Sequence, residues 1–451
     1  MRPSRSGGTD PFPFSSGTSR KKPGFETRRP FPYGPQPVKG MRHPRILHCP
    51  TPADAREILR RTGCDPWGID AMAPKMTGLA VLLEKVPCRD ANILKQEMLS
   101  VGGDAAVARG TVACSLPFTD VVLMGTVKQL RRFAEKMSFQ PFGLKTLAEE
   151  IPSLLGRHFR DLHTLRAGRW EMTLGERTLV MGILNVTPDS FSDGGLCMEP
   201  EKAVARALRM VEEGADWIDV GGESTRPGSE PVSPDEELRR VIPVVEVLAR
   251  QLPVPLSVDT TKAQVARRAV EAGAAMVNDV SAMTFDGDMA GVVAETGAAV
   301  SLMHIRGVPR SMQSEYVPYG SVPGDMIAFL RERMAAAATA GVPEERILVD
   351  PGFGFGKSDR DNWRIIRHLE EFRSLGRPIL VGLSRKASIG RATGGDPPSE
   401  RLPGTAAAVT AAILNGAAMI RVHDVKAMKK VAAVADAVRR GGEAVAPEGT
   451  A

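Results

Sequence analysis

Cysteine is scarce and unpaired in this sequence. Its 451 residues include five cysteines, none of which belongs to a Cys-x-x-Cys pair: Cys49, Cys64, Cys88, Cys114 and Cys197. The odd number and the wide spacing argue against a disulfide framework and against a zinc ribbon. Because such usage is typical of proteins in a reducing compartment, we expect a cytoplasmic protein.

Long hydrophobic runs are also missing. No apolar run reaches the roughly 18 residues that a membrane-spanning helix requires, and the N-terminus has no apolar segment of the secretory type. The composition, with 42% hydrophobic and 25% charged residues, is typical of a soluble globular protein. We therefore expect no membrane partner.

Basic charge is confined to one end of the chain. The formal net charge is +6, and residues 1–40 alone carry eight basic and two acidic side chains. The remaining residues are therefore close to neutral, and a charge block in a terminal segment is usually only solvated. We expect no nucleic-acid partner. Because residues 1–40 are rich in Pro, Gly and Ser and lack apolar periodicity, they are predicted to be disordered.

The rest of the chain divides into two predicted domains. Residues 41–165 are predicted to form a small α/β domain of unknown role, with a first helix capped by Thr51. Residues 166–445 are predicted to form a barrel, and residues 446–451 a flexible C-terminus. In the small domain we expect strands at 45–49, 79–83 and 121–124, and helices near 89–99, 126–138 and 144–156.

Eight strand–helix units repeat through the second domain. Short apolar runs, several continuously apolar as in buried parallel strands, alternate with helical stretches of 10–18 residues. This pattern predicts an α/β fold, a (β/α)8 TIM barrel, with a doubly wound sheet as the alternative. A hairpin of 170–174 with 177–181 is expected to plug the N-terminal end. The eight strands are expected at 179–185, 216–221, 255–259, 275–279, 298–304, 346–350, 378–383 and 417–422.

Polar residues end these strands, where barrels of this kind place their active sites. Asp259, Asn278 and Asp350 end three of them. An unpaired carboxylate in a dry barrel interior costs several kcal/mol, so these groups need a partner. A ring of amide and carboxylate groups suits a polar, nitrogen-rich heterocycle.

The loops after the strands carry further chemistry. Residues 185–195 are predicted to form a mobile loop that closes over substrate. Arg226, beside a hydroxyl residue, suits a carboxylate or phosphate, although a solvated surface arginine remains the commoner case. The glycines of 352–357 lack nucleotide-loop spacing and are expected to bring backbone and an aromatic ring close to a flat ligand. The segments 384–386 and 421–423 bring cations together, either for an anion or as structural ion pairs.

Eight segments, in order, resemble dihydropteroate synthase over about residues 169–442: MGILNVTPDSFSDGG, DVGGESTRPG, SVDTTK, NDVS, LMH, DPGFGFGK, GLSRK and RVHD. The resemblance implies that 6-hydroxymethyl-7,8-dihydropterin pyrophosphate and 4-aminobenzoate condense to 7,8-dihydropteroate and pyrophosphate, a step of folate biosynthesis. It also implies Mg2+ at Asn185 and a homodimer.

The resemblance assigns roles to particular residues. The catalytic residues would be Lys386, Asp259, Arg421 and Asp350. Pyrophosphate would be bound by Asn185, Arg421 and His423. The pterin would be held by Asp259, Asn278, Met303, Asp350, Phe355, Gly382 and Lys386, and the 4-aminobenzoate by Thr225, Arg226, Pro227, Ser384 and Phe191.

Two alternative functions remain open. A related pterin-binding corrinoid methyltransferase would have no use for pyrophosphate or aminobenzoate sites, so the joint presence of STRPG, SRK and RVHD argues against it. An inactive paralogue that binds pterin as a scaffold would not need an intact set of Asp259, Asn278, Lys386 and Arg421.

Overall fold

A computed structural model of the chain describes residues 44–187, 200–224, 229–312, 314 and 316–441. The described residues from Cys49 onwards form one compact unit, and those up to His48 belong to a separate unit. The predicted tail (1–40) and C-terminus (446–451) lie outside the described residues. No helix in the described ranges is both long and apolar enough to cross a membrane.

The helices are α1 (Pro52–Arg61), α2 (Pro66–Met76), α3 (Cys88–Ser100), α4 (Val127–Met137), α5 (Leu147–His158), α6 (Pro200–Glu212), α7 (Pro234–Gln251), α8 (Ala263–Glu271), α9 (Met289–Thr296), α10 (Val322–Thr339), α11 (Asp359–Arg367), α12 (Ala387–Ala392), α13 (Leu402–Leu414) and α14 (Val425–Arg439). The strands are β1 (Gly78–Pro87), β2 (Asp104–Val107), β3 (Phe118–Thr126), β4 (His163–Ala167), β5 (Trp170–Leu174), β6 (Leu179–Asn185), β7 (Trp217–Gly221), β8 (Leu256–Asp259), β9 (Met276–Asp279), β10 (Ala299–Met303), β11 (Ile347–Asp350), β12 (Ile379–Val381) and β13 (Ala417–Val422).

The N-terminal part is built on a three-stranded antiparallel sheet in the order β1-β3-β2. Thr51 caps α1 in a capping box with Asp54, as the sequence predicts. Helices α3, α4 and α5 share a buried apolar core with the sheet. The predicted strand at 45–49 is wrong: that segment has no strand partner among the described residues, and the Ile46 side chain is fully exposed, so neither pairing nor burial stabilises it.

The predicted hairpin plug is present, but one of its strands is not the predicted one. β5 pairs with β4, from His163↔Leu174 to Ala167↔Trp170, whereas 179–181 belong to the barrel strand β6. Gly175 is not a hairpin turn. A Cβ atom there would lie 1.8 Å from the Asp161 carbonyl oxygen, so the glycine permits a close backbone contact.

The hairpin closes the N-terminal end of the barrel. Leu165, Ala167 and Leu174 of the hairpin pack against interior side chains from the barrel strands, among them Trp217 and Met276. Because this end is filled with apolar side chains, polar chemistry is confined to the opposite mouth.

Strands β6 to β13 form a closed parallel barrel in sequence order, as predicted. All eight strands lie where the sequence places them, within a few residues. The helix after β11 ends at Arg367 and is followed by a 3-10 helix over Leu369–Leu375, and the short helix α12 precedes α13.

The N-terminal part contacts the barrel through the segment that joins them. The Arg157 Nε donates to the Ser374 carbonyl at 2.9 Å, and the Arg373 Nε donates to the His158 carbonyl at 2.7 Å. Arg373 also pairs with Asp161 at 2.8 Å. The contact therefore involves the Leu369–Leu375 helix, which precedes β12.

Candidate active site

The strand register brings the predicted polar residues together at the carboxyl ends of the strands. Asn185 lies opposite Gly221, and Gly221 opposite Asp259. Asp259 lies opposite Asn278. On the next strands, Asp350 lies opposite Met303. These side chains share one mouth because neighbouring parallel strands end at one edge.

Arg421 on β13 crosses the mouth and joins two carboxylates. Its Nε lies 2.5 Å from Asp219 Oδ2, and its Nη2 lies 2.6 Å from Asp259 Oδ2. The Asn278 amide donates to the same Asp219 oxygen at 3.1 Å, and the Ser257 hydroxyl donates to the other. Asp219, which is fully buried, received no specific role from the sequence. Its position in the middle of an apolar strand was the available signal for one.

Burial dominates the electrostatics of the mouth. It raises the pKa of Asp259 to about 7, with Arg421 opposing and Asp219 adding to the shift. It raises the pKa of Asp350 to about 6, against the effect of the Gly352 N–H, which donates to its carboxylate at 2.7 Å. For Arg421 burial lowers the pKa, but the neighbouring carboxylates outweigh it, so the net shift is upward and the guanidinium stays charged.

Lys386 and Phe355 form one side of a slot beneath the mouth. The Lys386 Nζ lies 4.0 Å from the centre of the Phe355 ring, a cation–π distance. Burial, then the charge of Arg421, lowers the pKa of Lys386 to about 8. The loop that carries Phe355 approaches so closely that a Cβ on Gly354 would lie 3.3 Å from the Lys386 side chain.

Apolar side chains and one bare glycine complete the slot. Phe355 and Met303 belong to a buried cluster with Val280, Ile305 and Met312. A Cβ atom on Gly382 would meet nothing within 4 Å, so this glycine leaves open space at the end of β12. We call the region between these residues the slot: Met303 and Phe355 are its apolar side chains, and Asp259, Asn278, Asp350 and Lys386 supply polar groups around it.

Of the cations predicted after the last two strands, one is structural. Arg385, with a φ of 58°, pairs with Asp424 through two hydrogen bonds of 3.0 and 2.6 Å. Its neighbour Ser384 accepts a hydrogen bond from the His423 backbone N–H at 3.2 Å and contacts the His423 Nδ1 at 3.0 Å. The structural reading of the sequence is thus correct for Arg385.

Four predicted site residues cannot be placed. Phe191, Thr225, Arg226 and Pro227 lie outside the described residues, as does most of the loop predicted to close over substrate. Their assignment to the aminobenzoate pocket stays a prediction.

The sequence did not reveal a cluster of charged side chains beside the loop that follows β7. The half-buried Lys262 ammonium donates to Glu223 and, at 2.5 Å, to Glu237. Glu237 on α7 is fully buried, and burial raises its pKa despite Lys262. Glu223 directly precedes the STRPG segment, so the lysine fixes the start of that loop to α7. The signal was the lysine of SVDTTK.

A cavity of about 340 Å3 opens next to Asp259, between the loops that follow β7, β8, β9 and β10. Its walls are largely apolar, with Pro231, Val280, Phe285 and Val308 among them, and Glu223, Lys262 and Arg310 supply charge. A larger surface depression of about 490 Å3, lined by Lys85, Phe118 and Asp120, lies on the N-terminal sheet and has no connection to the mouth.

The donor set for a metal is small. Within the described residues, no group of three or more His, Cys, Asp or Glu side chains is arranged to hold a metal ion. Asn185 ends β6 with its Oδ1 near Gly221 and Asp259. One amide oxygen fits Mg2+ only where substrate phosphates and water complete the octahedron, which is the usual way proteins hold this ion.

Comparisons with known proteins show which family this chain resembles. Residues 181–423 match the family described as "Pterin binding enzyme". The dihydropteroate synthase of Synechocystis is 48% identical over 276 residues, which are 61% of this chain and 95% of that protein. A dihydropteroate synthase from Xanthomonas albilineans, solved with 4-aminobenzoic acid, superposes with a TM-score of 0.58 at 48% identity and covers 62% of this chain and 98% of its own.

A longer relative matches beyond the barrel. A probable bifunctional folylpolyglutamate synthase/dihydropteroate synthase of Halobacterium salinarum is 44% identical over 391 residues, 87% of this chain. That alignment exceeds the length of the barrel, so it includes residues of the N-terminal part. The chain spans about half the length of this relative, 46%.

Proposed function

This chain belongs to the dihydropteroate synthase family, and we propose that it condenses 6-hydroxymethyl-7,8-dihydropterin pyrophosphate with 4-aminobenzoate to give 7,8-dihydropteroate and pyrophosphate. The observation that carries the proposal is the mouth itself. Arg421 joins Asp219 and Asp259 there, and Lys386 lies over Phe355. A flat, polar heterocycle fits between these groups.

The pterin ring is proposed to lie in this slot. Asp259 and Asp350 accept hydrogen bonds from ring N–H groups, and Asn278 fixes the same edge. The Lys386 ammonium donates to the ring carbonyl and the adjacent nitrogen. Met303, Phe355 and Gly382 set the thickness of the slot, since two are apolar walls and the third has no side chain.

The pyrophosphate is proposed to sit at Arg421, His423 and Asn185. A guanidinium has five N–H donors, and the two carboxylates occupy the Nε donor and one Nη2 donor of Arg421. The others remain for phosphate oxygens. We propose that Mg2+ binds at Asn185 together with pyrophosphate oxygens, where it neutralises charge on the leaving group.

The reaction then exchanges one bond for another. The exocyclic C–O bond to pyrophosphate breaks, the electron pair leaves with the pyrophosphate, and a cationic carbon remains beside Asp259 and Asp350. The neutral amine of 4-aminobenzoate forms the C–N bond and loses one proton. Because an aniline nitrogen is already uncharged, no base is required before the bond forms. Orientation of two bound reactants contributes about 7–11 kcal/mol in favourable cases.

The aminobenzoate is proposed to lie between the two loops at the mouth, against Phe191, Thr225, Arg226, Pro227 and Ser384. We further propose a cytoplasmic homodimer that binds neither nucleic acid nor membrane. Elution volume and light scattering measure the oligomeric state directly.

The test is an assay of the full chain with both substrates and Mg2+ that follows dihydropteroate and pyrophosphate together. Equal amounts of both products are expected. Asp259→Ala should abolish most activity while thermal unfolding of the barrel stays cooperative. Pterin binding without product would favour the scaffold or the corrinoid methyltransferase, and a full rate in Asp259→Ala would refute the assigned role.

A further inference from the structure

A buried lysine lies behind the slot. Lys357 is only 2% exposed. Its Nζ lies 3.1 Å from the His304 carbonyl, 2.9 Å from the Phe355 carbonyl and 3.0 Å from the His304 Nδ1. The charges of Asp350 and Asp361 act on it as well, but burial outweighs them and lowers its pKa. Burial of an amine is costly, so the hydrogen bonds it makes matter to the structure around it.

The two carbonyls belong to neighbouring loops that carry the slot walls. His304 follows Met303 at the end of β10, and its N–H donates to the Asp350 carbonyl at 2.9 Å. Phe355 lies in the loop after β11. Lys357 therefore ties together the backbones that carry Met303 and Phe355.

The same two loops touch so closely that side chains are excluded between them. A Cβ atom on Gly352 would lie 2.0 Å from the His304 carbonyl oxygen, and one on Gly356 would lie 2.1 Å from the Arg306 carbonyl oxygen. Both glycines have positive φ, 69° and 67°. Close contact and the lysine bridge thus fix the loop on both sides of Phe355.

The bridge holds in either protonation arrangement. Burial depresses the pKa of Lys357 far below its ordinary value and also lowers the pKa of His304. An ammonium donates three hydrogen bonds, one of them to the His304 Nδ1. A neutral amine donates to the two carbonyls and accepts from an Nδ1–H. The hydrogen bonds therefore persist over a wide range of pH.

We propose that Lys357 is a positioning residue for the pterin: it fixes the Phe355 backbone, and thereby the ring on which Lys386 lies. The proposal rests on the proposed function, because it concerns the same slot. It names the path of the effect, from the Lys357 amine through the Phe355 carbonyl to the Phe355 ring, and that path can be tested.

The test is a double-mutant cycle on pterin binding in the full chain. Lys357→Met keeps the length and apolar stem of the side chain but removes every N–H, and Phe355→Ala removes the ring. The dissociation constant of 6-hydroxymethyl-7,8-dihydropterin is measured by calorimetry, without catalysis. We expect Lys357→Met to weaken pterin binding by about 10-fold, which corresponds to about 1.4 kcal/mol.

The cycle separates positioning from general stability. In the Phe355→Ala background, Lys357→Met should weaken pterin binding no further, because the ring through which it acts is gone. The KM for 4-aminobenzoate should change little. Lys429→Met is the control, since Lys429 also loses two hydrogen bonds, to Asp216, but on the outside of the barrel; it should bind pterin as the wild type does.

Two results would overturn the proposal: undiminished pterin affinity in Lys357→Met, or losses that add in the double variant. Lys357→Gln, whose amide still donates to both carbonyls, should bind pterin more tightly than Lys357→Met, and an equal loss in the two variants would also overturn the proposal. If Lys357→Met does not fold, Lys357→Leu takes its place in the cycle and in this comparison. Failure of the proposed function looks different, since a chain that binds pterin but forms no dihydropteroate still gives a readable cycle.

Discussion

Substitutions of Asp219 test how much its buried carboxylate contributes to the stability of the site. Three donors converge on its carboxylate: the Arg421 Nε and the Asn278 Nδ2 on Oδ2, and the Ser257 hydroxyl on Oδ1. Asp219→Asn retains all three bonds, because its oxygen takes the Oδ2 place and its NH2 donates to the serine. Asp219→Ala removes all three. The two variants therefore separate the charge of Asp219 from its hydrogen bonds.

The expected magnitudes differ accordingly. Removal of one partner from a buried ion pair typically costs about 3–5 kcal/mol, and we expect this loss in the free energy of unfolding for Asp219→Ala. A charge-assisted hydrogen bond is roughly twice as strong as a neutral one, with a neutral bond worth about 1 kcal/mol. Asp219→Asn should therefore lose only about 1–2 kcal/mol.

Asp219→Asn should also change the pH dependence of pterin binding. Asp259 has a pKa of about 7, partly because Asp219 is nearby. Without that negative charge the pKa of Asp259 falls. Pterin binding is expected to need the Asp259 carboxylate. The pH below which pterin binding is lost should therefore be lower in Asp219→Asn than in the wild type.

The measurements are urea unfolding and calorimetric titration with pterin from pH 5 to pH 9. Asn278→Ala serves as a comparison that removes a single donor and leaves the charges in place. Equal destabilisation by Asn and Ala at position 219, or an acid limb that moves upward in Asp219→Asn, would refute the reasoning.

Four further predictions concern the mouth of the barrel and its loops. The pKa of Lys386 is about 8, so if its ammonium is the required donor, kcat/KM should fall as the pH rises through about 8; a flat alkaline profile would contradict this. Gly352→Ala should destabilise the barrel by more than the roughly 1–2 kcal/mol of left-handed strain, because its Cβ would meet a carbonyl oxygen at 2.0 Å. Gly382→Ala, which meets nothing within 4 Å, should melt like the wild type yet bind pterin weakly. Arg385→Gln should cost under about 1 kcal/mol of stability, since the pair with Asp424 is partly exposed. It should nevertheless lower kcat, because the pair holds the loop that carries Ser384 and Lys386. An unchanged kcat would contradict this.

The barrel was predictable because its signal is repeated and local. Each strand is a short apolar run that ends in a polar residue, as in Ile347–Asp350, and parallel register then places the ends together. The hairpin shows where this reasoning fails. Residues 177–181 have the composition of a strand beside a Gly-Glu turn, but nothing local distinguishes pairing with β5 from pairing within the barrel.

The sequence predicted which residues belong to the site better than it predicted the hydrogen bonds between them. Asp259, Asn278 and Arg421 were named from the sequence, and the structure places them together. Asp219 was given no role, because the role of an aspartate inside an apolar strand can only be understood once the residues facing it are known. Lys357 was interpreted only as part of a glycine-rich loop for the same reason. One of its partners, His304, lies more than fifty positions away in the sequence.

The β4–β5 hairpin at the N-terminal end of the barrel determines where the protein can be truncated. β4 begins at His163 and lies directly after the segment whose backbone carbonyl is bound by Arg373. A fragment that starts at residue 166 would keep one strand of the hairpin and lose most of the other, leaving Leu174 and Trp217 facing water. Fragments and fusions that start at residue 159 would retain the whole hairpin. The position at which the N-terminal part can be exchanged therefore lies upstream of the predicted domain boundary at residues 165–166.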